Sequence, residues 1–235
     1  MRPLNPQSAH IIPPLPDHWR DHFLPLIAGH DAGIHEQMSL RHVLLSLRDM
    51  PYARPRGGNT AKDCVSEWRG TCSSKHLAAH EWLTLTGHRP QLWMAAYLLD
   101  FQQPYFSDAL RASATGTQVY DVHNFLSCDL GQGDIIIDIT FPARLGRHGF
   151  PVTADWDGKS DFTLCCAPQE RMALNDLESA DARKRAWLRS LNTDPALQIR
   201  EAAIMEMTHW LAVSDGGQAS GLPHTCSSIP RFHSG

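Results

Sequence analysis

The chain has 235 residues, a hydrophobic fraction of 42%, a charged fraction of 20% and a formal net charge of −4 with its histidines neutral. These values fit one ordinary globular domain or two small ones, and without a basic run they exclude nucleic acid as an expected partner. The longest apolar stretch, "LWMAAYLL", is too short to cross a bilayer, so no membrane partner is expected either.

The first residues, "MRPLNPQSAHIIPPLPDHW", are proline-rich and lack an apolar signal core, which predicts a cytoplasmic chain. Residues 1–36 read as a segment wrapping the surface. "SLRHVLLSLRDM" places Leu40, Val43, Leu44 and Leu47 at helical spacing, with Ser39 as N-cap and Pro51 as terminator. "ARPRGGNTAKD" reads as a polar loop leading to Cys64. A second helix is predicted over Cys72–Leu85, with Gly87 closing it. "PQLWMAAYLL" reads as a buried strand and residues 101–117 as a long loop. "QVYDVHNFLS" and "DIIIDITFP" are predicted strands joined by the glycine-bearing turn "CDLGQG". Residues 144–160 read as loop. Two helices are predicted near 168–190 and 195–213, the second opened by Asp194-Pro195. The Gly/Ser/Pro-rich tail over 214–235 is expected to be disordered. Helices, then a mostly antiparallel sheet, then helices predict a single α+β domain over 37–213.

Six cysteines, Cys64, Cys72, Cys128, Cys165, Cys166 and Cys226, do not form a disulfide framework pattern and read as thiols in a reducing compartment. No CxxC pair has zinc spacing, and the adjacent Cys165 and Cys166 are poorly placed to share one tetrahedral ion. Cys72 stands apart because it begins a helix. Unpaired N–H groups and the positive dipole end there favour a thiolate, and Gly70 permits a tight backbone approach just before it. A buried thiol filling the core is the alternative.

Asp138 lies inside "IIIDIT", the most apolar strand, where a carboxylate is costly without a partner. A hairpin turning between Leu130 and Gly131 puts His123 directly opposite it; a slip of two residues leaves the pair diagonal, and a slip of one separates them. A core histidine and a carboxylate bonded to a backbone amide are the alternative. A thiolate, an imidazole and an orienting carboxylate are together the groups that nucleophilic acyl transfer requires.

At these residues the chain resembles the transglutaminase-like superfamily, papain-like in fold. "RGTCSSKH" is similar to the helix-start motif of its small bacterial members. "VHNFLSCDLGQGDIIIDITFP" resembles their histidine strand followed by a strand with "DxT", and "DMPY" resembles the end of their leading helix. The likeness spans roughly residues 38–142. It implies a nucleophile at a helix N-terminus packed on a mostly antiparallel sheet, with two extra C-terminal helices in this chain. It implies Cys72 as nucleophile, His123 as base and Asp138 as the group orienting it. Backbone N–H groups near Cys72, with Trp68, Gly70, Thr71 and Ser73, are the candidates for substrate contact or oxyanion stabilisation. Trp68 is only near in sequence to where animal transglutaminases keep a tryptophan, and no acidic calcium loop is evident. The Arg-Gly before the cysteine and the His123-to-Asp138 step are also similar to arylamine N-acetyltransferases, but "SSKH" departs from their usual run and the chain is short for them.

His76 and His80 lie four apart on the predicted helix, but without the HExxH arrangement they read as a solvated or core-edge face. No metal or cofactor is expected. Lys75 reads as an exposed charge, Cys128 as a weaker rival nucleophile at the hairpin turn, and Arg200 and Glu201 as members of surface pairs. The expected function is cysteine-dependent transfer of an acyl group from an amide, or a thioester on a carrier, to an amine. The alternatives are an amidase or peptidase with the same residues, or a non-catalytic binding module.

Overall fold

Thr60 and Ser107 each end an extended stretch by turning a side-chain hydroxyl onto the first free N–H groups of a helix. Both helices fall where the sequence predicts loop. The computed structural model describes residues 16–21 and 40–214; the expectations for Ser39, for the rest of 1–36 and for the tail beyond Ser214 lie outside them. Helix α1 spans Leu40–Asp49 and buries Val43, Leu44 and Leu47, as their spacing predicts. Helix α2 spans Ala61–Glu67. Thr60 Oγ1 accepts from Asp63 N at 3.0 Å and donates to the Asp63 carboxylate at 2.6 Å, a reciprocal cap that lets seven residues hold a helix. Helix α3 spans Cys72–Leu85 as predicted.

Strand β1 (Gln91–Leu98) follows. Helix α4 (Asp108–Ala114) comes next, capped by Ser107 Oγ on Leu110 N at 3.2 Å. Strands β2 (Tyr120–Asp129) and β3 (Asp134–Ile137) form the predicted hairpin, but β3 ends at Ile137, so Asp138 lies just past the strand and not inside it as expected. A 3₁₀ turn spans Ala143–His148, inside a predicted loop. Residues 170–174 form strand β4 (Glu170–Leu174), correcting the start of the predicted helix. Glu, Arg, Met, Ala and Leu favour helix, but pairing with β1 overrides that preference. Helices α5 (Ala180–Leu191) and α6 (Asp194–Ser214) complete the described chain.

The architecture is α+β, with one antiparallel sheet ordered β3-β2-β1-β4. The β2–β3 register pairs Leu126 with Ile137 and Asp129 with Asp134. It is two residues away from direct opposition of His123 and Asp138. The main core joins Val43, Leu44 and Leu47 of α1, Leu83 of α3 and Leu92 and Leu126 of the sheet. Trp19 belongs to it as well, fully buried, 5.0 Å from the Trp82 ring and donating Nε1–H to Glu81. The described part of the N-terminal segment therefore supplies core, beyond the surface wrapping expected of it. A second cluster gathers Phe106, Leu110, Phe141, Phe150 and Met207 around α4 and α6. No helix among the described residues is long and apolar enough to cross a membrane.

Lys75 is fully buried, which corrects its reading as an exposed charge. Its ammonium donates to the carbonyls of Arg48 (2.8 Å), Met50 (2.9 Å) and Thr140 (3.1 Å). Three donors meet three carbonyls, which makes the burial tolerable. The same bonds tie α3 to the end of α1 and to the segment after β3.

Candidate active site

Cys72 is the first residue of α3 and is partly exposed. Thr71 precedes it in extended conformation, and its N–H donates to Ser74 Oγ at 3.0 Å. Gly70 is pinned by backbone bonds to Pro51 and Ala53. A Cβ there would lie 2.7 Å from Cys64 Sγ and from Lys75 Cγ, so no side chain fits. Trp68 is the left-handed cap of α2 (φ 48°) and packs against the main core.

His123 projects from β2 and Asp138 from just beyond β3. His123 Nε2 donates to Asp138 Oδ2 at 2.9 Å. Its Nδ1 lies 3.4 Å from Cys165 Sγ, and the ring stands near enough to Cys72 for each to shift the other's titration. Asp138 is buried and receives three more donors: Cys165 N at 2.8 Å, Thr140 N at 3.2 Å and Thr140 Oγ1 at 2.6 Å. Four donors match about the four lone-pair sites of a carboxylate, so the anion is satisfied and fixed.

His76, one turn along α3, holds this frame together. Its Nδ1 lies 2.6 Å from the Cys72 carbonyl and its Nε2 accepts Ile139 N–H at 3.0 Å. A carbonyl demands a proton on Nδ1 and a backbone N–H demands a bare Nε2, so the ring is the neutral Nδ1–H tautomer. Burial brings its pKa down to about 4, against the pull of Asp138. His76 thus joins the start of α3 to the segment carrying Asp138, and is neither solvated nor at the core edge.

Burial alone would push the Cys72 thiol up. The Lys184 ammonium, then the hydrogen bond and charge of His123, outweigh it and bring the thiol down to about 6, with Asp121 opposing. Burial disfavours a charged His123, but Asp138 and then Cys72 hold its pKa well above the ordinary imidazole value. Burial works against ionised Asp138 too, yet His123, His76 and Thr140 keep it well below the usual carboxylate range. The three shifts run in the direction that favours a thiolate beside an imidazolium and an ionised carboxylate.

Sequence reasoning missed several groups here. Lys184 of α5 places Nζ 3.5 Å from Cys72 Sγ, 3.1 Å from Ser73 Oγ and 3.1 Å from Asn124 Oδ1. Cys165 Sγ lies 3.4 Å from both ring nitrogens of His123. Arg200 does pair with exposed Glu201 through Nη1, but it is partly buried, and its Nε (2.8 Å) and Nη2 (2.6 Å) also grip buried Asp121. Asp121 also accepts from Tyr97 at 3.1 Å. A polar residue in an apolar strand, such as Asn124 in "VHNF", was the available signal. Lys184 had none, being one of several basic residues on its helix.

Cys128 is buried in β2, and burial raises its thiol to about 11. Among the described residues, His123, Asp138 and Cys165 form the group whose ligand atoms lie within 4.8 Å of one another. An ion there would compete with the His123–Asp138 hydrogen bond. An open groove of about 360 Å³ is lined by Trp93, Phe125, Asp134, Asp161 and Arg171 among others. Phe125 lies parallel to His123, ring centroids 6.3 Å apart, but the groove is not lined by Cys72, His123 or Asp138, and Arg171 sits over the Phe125 ring at 5.5 Å. Compared with known proteins, the chain matches no family model, no curated protein and no solved structure.

Proposed function

We propose that the chain is a cysteine-dependent acyltransferase of transglutaminase-like, papain-related architecture, passing an acyl group through a thioester on Cys72 to an amine. One observation carries the reading: a thiol at a helix start, its pKa lowered by an imidazole that is itself fixed by a saturated, buried carboxylate. The Cys72 thiolate attacks the carbonyl carbon of an amide or thioester donor. His123 gives its proton to the departing amine or thiol as the carbon–leaving-group bond breaks. The acceptor amine then attacks the thioester, loses a proton to His123, and expels the Cys72 thiolate. Asp138 keeps the ring oriented throughout.

Transfer to an amine is favoured over hydrolysis by the likeness of the motifs around Cys72, His123 and Asp138 to the transglutaminase-like superfamily, which includes amine acceptors. The test is mass spectrometry of the protein incubated with a thioester donor, with and without a panel of primary amines. An acetyl or acyl adduct on Cys72 that is discharged as an amide supports transfer. Free acid released at one rate in both arms makes the chain a hydrolase. An inert Cys72 leaves a binding module of the same fold.

A further inference from the structure

The Lys184 ammonium has three N–H donors and three acceptors. Ser73 Oγ and Asn124 Oδ1, each at 3.1 Å, take two of them. Ser73 and Asn124 are themselves buried and lie 3.4 Å apart, so they fix the ammonium from two sides. The third donor faces Cys72 Sγ at 3.5 Å. When Sγ attacks a carbonyl, a C–S bond forms and the C=O π pair moves onto oxygen. The negative charge leaves sulfur for an atom two bonds away. A cation already held against that sulfur follows it with little rearrangement, which is the preorganisation that oxyanion stabilisation requires.

Resting on the acyl-transfer reading above, we infer that Lys184 is a catalytic residue that donates to the oxyanion of the tetrahedral intermediate, with Asn124 and Ser73 as its positioning residues. Collapse of the intermediate returns the pair to the carbonyl and breaks the bond to the leaving group, and Lys184 then faces a neutral thioester. The ammonium thus serves the thiolate first and the oxyanion next. In the native fold it comes from a helix far along the chain from the nucleophile, so α5 completes the site as well as covering the sheet.

The experiment compares two reactions of Cys72 in the full chain. Acetylation by p-nitrophenyl acetate passes through a developing oxyanion, and its leaving group needs no proton. Alkylation by iodoacetamide has no oxyanion. Each is measured from about pH 5 to about pH 10, spanning the shifted and the ordinary thiol ranges, in wild type, Lys184→Met and Lys184→Arg. Circular dichroism confirms the fold of each variant. The expected result is a loss of about 10²–10³-fold in acetylation for Lys184→Met that persists at the alkaline end, where the thiolate is fully formed. Alkylation recovers there, and Lys184→Arg keeps part of the acetylation rate. If Lys184→Met loses both reactions equally at neutral pH and regains both at the alkaline end, Lys184 only lowers the thiol pKa and the oxyanion role is overturned. If Lys184→Met does not fold, Lys184→Gln takes its place: acetylation still reduced at the alkaline end with alkylation recovered supports the role, and recovery of both overturns it. A wild-type chain that alkylates but never acetylates overturns the functional reading itself, and this inference with it.

Discussion

His123 and Asp138 are bonded diagonally across the β2–β3 hairpin. Their 2.9 Å contact joins a residue within β2 to one just past the end of β3, two residues out of direct opposition. The diagonal reach is possible because Asp138 is anchored from its own side by Thr140, and by the Cys165 N–H from a later loop.

Asp138→Asn is therefore expected to be far more damaging than its size suggests. The amide replaces one acceptor oxygen with an NH₂ donor, and both oxygens now face donors. Whichever way the amide turns, the imidazole or the Thr140 cradle loses a bond. Turnover should fall by up to ~10⁴ if the imidazole is misoriented as in serine triads. The sign for stability is equally definite. The folded-state pKa of Asp138 lies below its unfolded value, so its ionised form stabilises the fold above the ordinary carboxylate range and that contribution fades as pH falls. Steady-state rates and acid unfolding curves of wild type and variant check both points, and a fully active variant would make Asp138 purely structural.

Cys72 is expected to be the first described thiol alkylated at neutral pH. With a pKa of about 6 it is mostly thiolate, whereas Cys64 and Cys128, raised to about 11, are not. At pH 7 that leaves about one part in ten thousand of each as thiolate. The alkylation rate should fall as pH drops through about 6 and stay level above it. Cys166 is the informative competitor, since the hydrogen bond from Cys165 lowers its pKa as well. Peptide mapping after a limiting dose of iodoacetamide decides; Cys166 or Cys128 labelled ahead of Cys72 would remove the basis for the nucleophile.

The helix over Cys72–Leu85, the apolar β1 and the His123–Asp138 hairpin were legible because each has a strong period or a costly buried polar residue. The short helices were not, although Thr60 and Ser107 were visible: seven residues carry too little periodicity to compete with neighbouring glycines and prolines. β4 was illegible for a different reason. Its residues prefer helix, and only the partner strand makes it a strand. At the site, Cys72, His123 and Asp138 announce themselves by local cost or position. Lys184, Cys165 and Arg200 acquire meaning only from residues far away in sequence, and the same is true of the burial of Lys75.

Lys75→Met should destabilise the chain while leaving the chemistry of Cys72 in place. The methionine keeps the volume of the stem but abandons the carbonyls of Arg48, Met50 and Thr140 inside the core. Leaving buried acceptors unpaired costs on the order of 3 kcal/mol here. For a chain of this size that corresponds to a fall in Tm of ~6–12 °C. Thermal denaturation measures it, and an unchanged Tm would mean that the three carbonyls find other donors.

Divalent zinc should inhibit the protein, and removal of metal should leave its activity intact. Cys165 Sγ and the nearer nitrogens of His123 are 3.4 Å apart, and His123 Nε2 and Asp138 Oδ2 are 2.9 Å apart. Ligands on a tetrahedral zinc with usual Zn–S and Zn–N bonds are about 3.6 Å from one another, so small side-chain shifts would let the ion replace the shared proton. With the ion on Nε2 in place of the proton shared with Asp138, the imidazole would be held as a ligand and would no longer exchange protons freely as a base. Cys165 is the soft member of the set, so Cys165→Ala should raise the zinc concentration needed for half-inhibition by ~10-fold or more, on the scale of losing one supporting group at a metal site. Rates are followed during zinc titration and again after dialysis against a chelator. Activity that disappears on dialysis and returns with zinc would instead make the ion a participant in the reaction, and the thiol mechanism would have to be replaced by a metal-centred one.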